Sequence, residues 1–422
     1  MGILKLMVLL VTLCSFGCIL TEFSPEWVYG IDAHADVLSI TPDGEYIVVG
    51  SGGTPENWIC CLNKKGNVLW KYHLLGEDNL SYGYKIQDIK ISNNGEYVVA
   101  SIEYSGKFGI RNNTIYIFNK DGKVVRKYPI KNGLTMISIS SDGKYIFAGI
   151  DMHCCFIDKD RGILWDYETN DLINSVDITP NGNYAVAGSC DGNIYVFNKS
   201  GLLWKYQTNG SVETVSINPN TKLIGAGGQD TYIYLFNYNG TLLNKRSLNY
   251  SVYYIKLTDN NIIAYNCMKI YCLNKNLDVL WSYGGNSYYI NFIDTTLNGS
   301  YIVLYNDYVD CPFLMSNHEG LYVINSTGNV VWYYPADYYV DSVKITDDGK
   351  YVVASIGGKI YFFDNQKCIK SYNPNSNTMV GLINNDLIYI IYIIMVVLAG
   401  LIFLLILVLC LIKLEKKQKN RQ

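Results

Sequence analysis

Histidine is scarce in this chain, with four residues in 422. The patterns that usually carry chemistry are missing. There is no HExxH, no CxxC and no acidic loop of calcium-binding spacing. Also absent are a Gly-x-Ser-x-Gly elbow, a phosphate-binding glycine loop, and a Ser, His and Asp set whose positions assemble into a triad. A cationic surplus is lacking too: 34 Lys and Arg stand against 37 Asp and Glu, for a formal net charge of −3. Setting aside Lys5, the five cations beyond residue 412 and Glu415, the rest of the chain carries roughly −8. An acidic domain binds nucleic acid poorly, so no nucleic-acid partner is expected. Cysteine numbers twelve, but Cys14, Cys18 and Cys410 fall in apolar terminal segments. The remaining odd set has no compact disulfide spacing.

What the chain does contain is a repeat, clearest over residues 173–210. Apolar alternation in Val176–Ile178 stops at Pro180-Asn181-Gly182, resumes over 184–187 and breaks at Cys190-Asp191-Gly192. A third run, 194–197, ends in Asn198-Lys-Ser-Gly201, and a fourth, 202–206, carries Trp204. β-branched and aromatic residues favour a pleated, half-buried surface, and Asn-Gly and Asp-Gly supply the positive φ of tight hairpins. One unit is therefore a four-stranded antiparallel sheet that cannot bury both faces alone. The first turn recurs at Gly44, Gly95, Gly143, Gly182, Thr221, near Asn260, at Gly299 and at Gly349, with a basic period of about 39 residues and three longer units. Six of the seven tryptophans, at 27, 70, 165, 204, 281 and 332, share one place on the fourth strand. The period and strand count predict an all-β, eight-bladed β-propeller, with seven blades as the alternative count.

The segments Asn325-Ser-Thr-Gly-Asn-Val-Val-Trp332 and Asn198-Lys-Ser-Gly-Leu-Leu-Trp204 resemble the turn of the quinoprotein-like (pyrroloquinoline-quinone-like) propeller repeat. The likeness to the WD40 repeat is weaker, since no unit has its Gly-His and Trp-Asp pair. The resemblance implies a tryptophan that docks one blade onto the next. It also resembles membrane-anchored archaeal surface propellers. It implies no activity, because one fold hosts many functions.

Residues 1–24 read as a secretory signal: one Lys, then a mostly apolar run. Ser15-Phe-Gly-Cys18 faintly resembles a lipoprotein box with Ser where Leu is expected, and simple cleavage between residues 17 and 24 is the alternative. The propeller occupies 25–372. Pro25-Glu-Trp-Val-Tyr29 repeats the fourth-strand pattern before any first strand, as ring closure requires. Residues 368–372 compete for the same place in blade 8. After a linker at 373–386, residues 387–412 run without a charge for about 39 Å as a helix, enough to span a bilayer. The basic tail 413–422 then places the C-terminus in the cytoplasm and the propeller outside the cell membrane. Asn79, Asn112, Asn198, Asn209, Asn239, Asn249, Asn298 and Asn325 head Asn-x-Ser/Thr triplets and are candidate glycosylation sites.

Quinoprotein dehydrogenases use a vicinal disulfide, which would single out Cys60-Cys61 and Cys154-Cys155. Both pairs fall inside third strands, where adjacent side chains point to opposite faces, so a core role is expected. Cys267 and Cys272 flank one hairpin and are placed to bridge. His34, His73, His153 and His318 should all decorate one propeller face, without forming a shared metal site. No cofactor is expected.

The long units owe their length mainly to second-to-third connections on that face, at 51–57, 103–113 and 306–320, with a long fourth-to-first connection at 74–84. They belong to blades 1, 2 and 7, which ring closure makes neighbours around blade 8. Loops on a rigid scaffold are where binding concentrates. The candidate binding residues are Trp58, Glu103, Tyr104, Phe108, Arg111, Asp307, Tyr308, Asp310 and His318. Aromatics mixed with carboxylates suit an extracellular protein or glycan; tolerated surface variation is the bland alternative. Tyrosines at 97, 145, 184, 301 and 351 repeat blade by blade and read as packing. The functional expectation is a non-catalytic binding or scaffold module on the cell surface. An envelope assembly factor and a quinoprotein-type enzyme are the alternatives.

Overall fold

The computed structural model describes residues 24–31, 35–51, 57–74, 84–105, 111–130, 133, 135–284, 290–306, 320–336 and 338–372. They form eight four-stranded antiparallel sheets, the blades of a closed propeller. Blade 4 shows the pattern: Ile173–Ile178, Ala185–Ser189, Asn193–Asn198 and Gly201–Gln207, paired in sequence order from pore to rim. Blades 1 to 7 all follow it. Blade 8 has only three strands of its own, Val340–Ile345, Tyr351–Ile356 and Lys359–Asp364; the N-terminal strand Trp27–Gly30 supplies its fourth, with Trp27 opposite Phe362. The competing segment is not a strand. Residues Asn365–Ser371 form helix α1, started by the Asp364 carboxylate, which accepts from the Lys367 amide.

The core lies between blades. Val186, Ile194 and Val196 of blade 4, for instance, pack against Val212, Val215, Ile217 and Phe236 of blade 5. Among the described residues such clusters join seven of the blade interfaces, and each fully buried aliphatic contributes about 1.5–3 kcal/mol. Two ladders lock the blades together. In the first, the tyrosine opening the second strand of blades 1, 2, 3, 7 and 8 sits under the first-turn glycine of the following blade. A Cβ at Gly182 would come 2.5 Å from the Tyr145 ring, and one at Gly95 equally close to Tyr46. That is why those tyrosines repeat.

In the second ladder the fourth-strand tryptophan reaches the next blade's third-to-fourth turn. Nε1 of Trp27, Trp165, Trp204 and Trp281 donates to the carbonyl oxygens of Lys64, Asn198, Tyr238 and Ser326 respectively. Trp332 meets no turn in blade 8, and its Nε1 donates 2.5 Å to Asn365 Oδ1 of α1 instead. The docking role expected of this tryptophan is what the structure shows.

The cysteine pairs also divide as expected. Cys60 packs with Ile360 and Phe362 of blade 8, Cys61 with Ile86 and Phe118 of blade 2. Cys154 faces blade 4 and Cys155 blade 2. Burial pushes the thiols of Cys60 up to about 11 and of Cys61 and Cys155 to about 12. Cys267 and Cys272 are free thiols, so the hairpin is not bridged. Among the described residues no helix is long and apolar enough to cross a membrane. Residues 387–412, like the whole of 1–23, lie outside the described residues.

Candidate functional site

Second-to-third and fourth-to-first connections share one face of the ring, here called upper; the two short turns of each blade form the lower face. Several candidates from the sequence are not surface groups of the upper face. Trp58 opens the third strand of blade 1 and is 2 % exposed, packed between blades 8 and 1 with Lys71 Nζ 4.4 Å above its ring. Glu103 is buried too and accepts from Gln87 Nε2 at 2.9 Å. Trp58 forms the last rung of the blade 1 ladder, opposite Ser51 and His73, and Glu103 lies within a longer ladder. The blade 2 insertion prolongs the hairpin: Tyr97–Ser105 and Arg111–Asn119 stay paired, Glu103 opposite Asn113 and Tyr104 opposite Asn112. Alternating residues on a continued ladder keep one side inward. Tyr104 packs on Tyr84, ring centroids 5.0 Å apart. Arg111 is a strand residue next to it. Phe108, Asp307, Tyr308, Asp310 and His318 lie outside the described residues, as does Asn79.

The upper face carries groups that the sequence reading passed over. Tyr250 and Tyr253 at the entry to blade 6, and Tyr338 and Tyr339 at the entry to blade 8, are 47, 51, 69 and 77 % exposed. They flank blade 7, the blade with the longest insertion. No repeat position explains them, and repeat thinking hid them: tyrosine is so frequent, at 38 residues, that unique ones look like copies. Tyr253 has a detectable origin. In six of the eight first strands the ladder skips one residue near the upper end, at Gln87, Asn174, Glu213, Tyr253, Asn291 and Asp341. Such a bulge re-aims a side chain. Gln87 and Asn174 use it to bridge blades, Gln87 Oε1 accepting from the Thr135 amide and Asn174 Nδ2 donating to Val212 O. Tyr253 uses it to reach solvent.

The pore is built by the same first strands. Each is a sheet edge whose outward amides need acceptors. The preceding blade supplies them: Ser39 Oγ takes the Ile91 amide, Asp177 Oδ2 that of Ile217, Ser216 Oγ that of Leu257 and Asp294 Oδ2 that of Ile345. Lysines at the same level balance the charge. Lys256 Nζ stands 3.8 Å from Asp177 Oδ2, two blades away, and Lys344 Nζ 3.9 Å from Asp294 Oδ2. Asp177 and then Asp294 hold the Lys256 ammonium above the usual lysine range, against the opposing effect of burial. These carboxylates and hydroxyls are already engaged with amides and lysines of neighbouring blades, and so tie the first strands into a ring.

Other polar groups of the upper face bond within their own turns. Asp191 in the upper turn of blade 4 accepts from the Tyr195 hydroxyl at 2.5 Å and from the amides of Asn193 and Asn170. Asp230 and Tyr234 repeat this in blade 5. His73 ends the fourth strand of blade 1 and His153 opens the third strand of blade 3, where its Nδ1 lies 2.9 Å from Asp166. Among the described residues no three His, Cys, Asp or Glu side chains are grouped to hold a metal. Of the sequon asparagines, Asn209, Asn239, Asn249 and Asn298 are exposed, whereas Asn198 and Asn325 are half-buried and use their side-chain oxygens to close turns.

Comparison with known proteins agrees with this architecture. The family model "WD domain, G-beta repeat" matches residues 164–198, from the fourth strand of blade 3 through the third strand of blade 4. Among solved structures, the C-terminal WD40 domain of Sif2 superposes with a TM-score of 0.64 at 11 % identity, covering 80 % of this chain and 97 % of that one. A chain of the mitotic checkpoint complex gives 0.50 at 12 % identity, covering 81 % and 92 %. No curated protein matches the chain. The chain thus carries a WD40-like β-propeller, with one stretch that the WD-repeat model itself matches.

Proposed function

We propose that this protein is a membrane-anchored cell-surface propeller that acts as a non-catalytic binding or scaffold module, engaging a protein or glycan on its upper face. The observation that carries the reading is the set of exposed tyrosines 250, 253, 338 and 339, which the fold does not need. Tyrosine gives large, rigid contact area at low entropic cost and is enriched where partners bind. The neighbouring insertions of blades 7, 1 and 2 widen the same sector. The match to a WD-repeat model supports a protein-interaction role. Anchoring rests on the uncharged run 387–412 and its basic flank, and surface exposure on the apolar N-terminal run and the sequons.

The test is capture of partners from native envelope by the full-length protein in detergent. A parallel bait carries Tyr250→Ser, Tyr253→Ser, Tyr338→Ser and Tyr339→Ser. Its melting temperature should match the parent, because exposed substitutions away from packing change stability by no more than about 0.5 kcal/mol. A partner held by the parent and lost by the variant supports the assignment. Equal retention by both moves the site elsewhere on the ring.

A further inference from the structure

The residue just before the docking tryptophan position tells a separate story. In blades 1 to 6 it is Leu69, Val125, Leu164, Leu203, Leu243 and Leu280, between 36 and 53 % exposed. Each stands on the outermost strand, two to five residues beyond the third-to-fourth turn, and so close to the lower rim. The interior makes no use of these side chains, yet the position is aliphatic six times over. The other two blades differ, and both differences involve α1. In blade 7 the residue is Val331, which packs in the cluster that holds Cys368 and Ile369 of the helix. In blade 8 it is Glu26, whose carboxylate pairs with Lys367 of the helix at 2.9 Å. Where the chain covers its own rim, the position is either half-buried or charged.

The chain ends say what covers the rest. The third strand of blade 8 runs from the upper face to the lower, so α1 begins at the lower rim, and Glu26 enters the closing strand beside it. Fourteen residues separate Tyr372 from the apolar run 387–412. Lysines accompany the aliphatic belt. Lys65 and Lys123 lie in the turns beneath it, and Lys71, Lys127, Lys205 and Lys245 stand above it on the same strands, over ring faces of the third strands. Glu45 and Glu96 neutralise Lys64 and Lys120, and Asp121, Asp160 and Asp278 also face this rim. Aliphatic side chains fringed by lysine stems are the composition of surfaces that lie in the headgroup layer. We propose that the lower rim of blades 1 to 6 seats on the phospholipid bilayer entered by residues 387–412, turning the upper face away from it.

This inference rests on the anchored reading, and one experiment separates the two. Five docking tryptophans (27, 70, 165, 204 and 281) lie next to the rim position, and the apolar run 387–412 contains none, so tryptophan fluorescence reports on the rim. Full-length protein is reconstituted, one chain per nanodisc, in lipid containing phosphatidylglycerol and brominated near the headgroup. Quenching should exceed several-fold that of a variant with serine at positions 69, 125, 164, 203, 243 and 280. Equal quenching in parent and variant overturns the seating, as does none in either. Quenching that appears only with several chains per disc also overturns it and assigns the rim to self-association. Failure to co-float with vesicles would sink the anchored reading itself.

Discussion

Blades 3 to 6 and blades 7, 8, 1 and 2 are made from one repeat and do different work. The first four keep near-constant length and short turns. Their one departure on the upper face is Tyr250 and Tyr253 at the entry to blade 6, where this half borders blade 7. The second four contain every long insertion, the borrowed strand and helix α1. Blade 6 and blade 7 make the contrast local. Trp281 docks on the Ser326 carbonyl of a standard turn and stays partly exposed. Trp332 has no turn to dock on; α1 closes over it and leaves it 0 % exposed. Where a blade must join the two ends of the chain, the repeat is replaced by a purpose-built cover, and departures from the repeat mark what the ring is for.

Breaking that contrast should cost most at the cover. Trp332→Ala should destabilise the protein by about 3–5 kcal/mol, because it empties a buried site and strips Asn365 of its partner, and Trp281→Ala by clearly less. Equal losses by denaturant titration would mean that the helix adds nothing beyond an ordinary turn. Next in size are the glycines of the docking turns. Gly122 has φ +74°, and a Cβ there would meet the Trp70 ring at 2.5 Å; Gly162 has φ +100° with open space around it. Gly122→Ala should therefore cost about 1–2 kcal/mol more than Gly162→Ala, the left-handed backbone penalty being common to both.

The smallest effect belongs to the regular half. Burial alone would raise the Asp191 carboxyl, but the bonds from the Tyr195 hydroxyl and from Asn193 and Asn170 outweigh it and hold it below the usual carboxylate range. Its contribution is complete above the unfolded value of about 3.9 and is lost as pH falls through the lower folded value. The parent melting temperature should fall more steeply below pH 4 than that of Asp191→Asn. Parallel slopes would show that the upper turn of blade 4 does not depend on the charge.

The blades were legible because hairpin chemistry and tryptophan spacing are local signals that eight copies reinforce. The docking tryptophans, the stacked tyrosines and the divided cysteine pairs follow from the same alternation. Legibility failed where an insertion met a strand. Glu103 looks like a loop residue when hairpin length is taken from shorter siblings, but the ladder continues past it, and Trp58 is held in the last rung of its own. Residues 368–372 have a strand's composition, but the N-terminal strand fills the edge of blade 8 and Asp364 caps a helix there. The exposed tyrosines and the aliphatic rim were hidden for another reason. Alternation shows that the residue before each docking tryptophan faces the other way, but not that it stays uncovered.

The borrowed strand sets an order of events. Trp27 emerges among the first residues of the domain, and its partner Phe362 among the last. Seven blades can zip together from neighbour to neighbour while the chain is being made, since each needs only local pairing. The eighth must wait with its hydrophobic edge unmet until residues 359–364 have been made. Any partner or chaperone that holds residues 24–30 during that interval therefore governs when the circle shuts, and a chain cut short before residue 359 would keep its two ends apart for good.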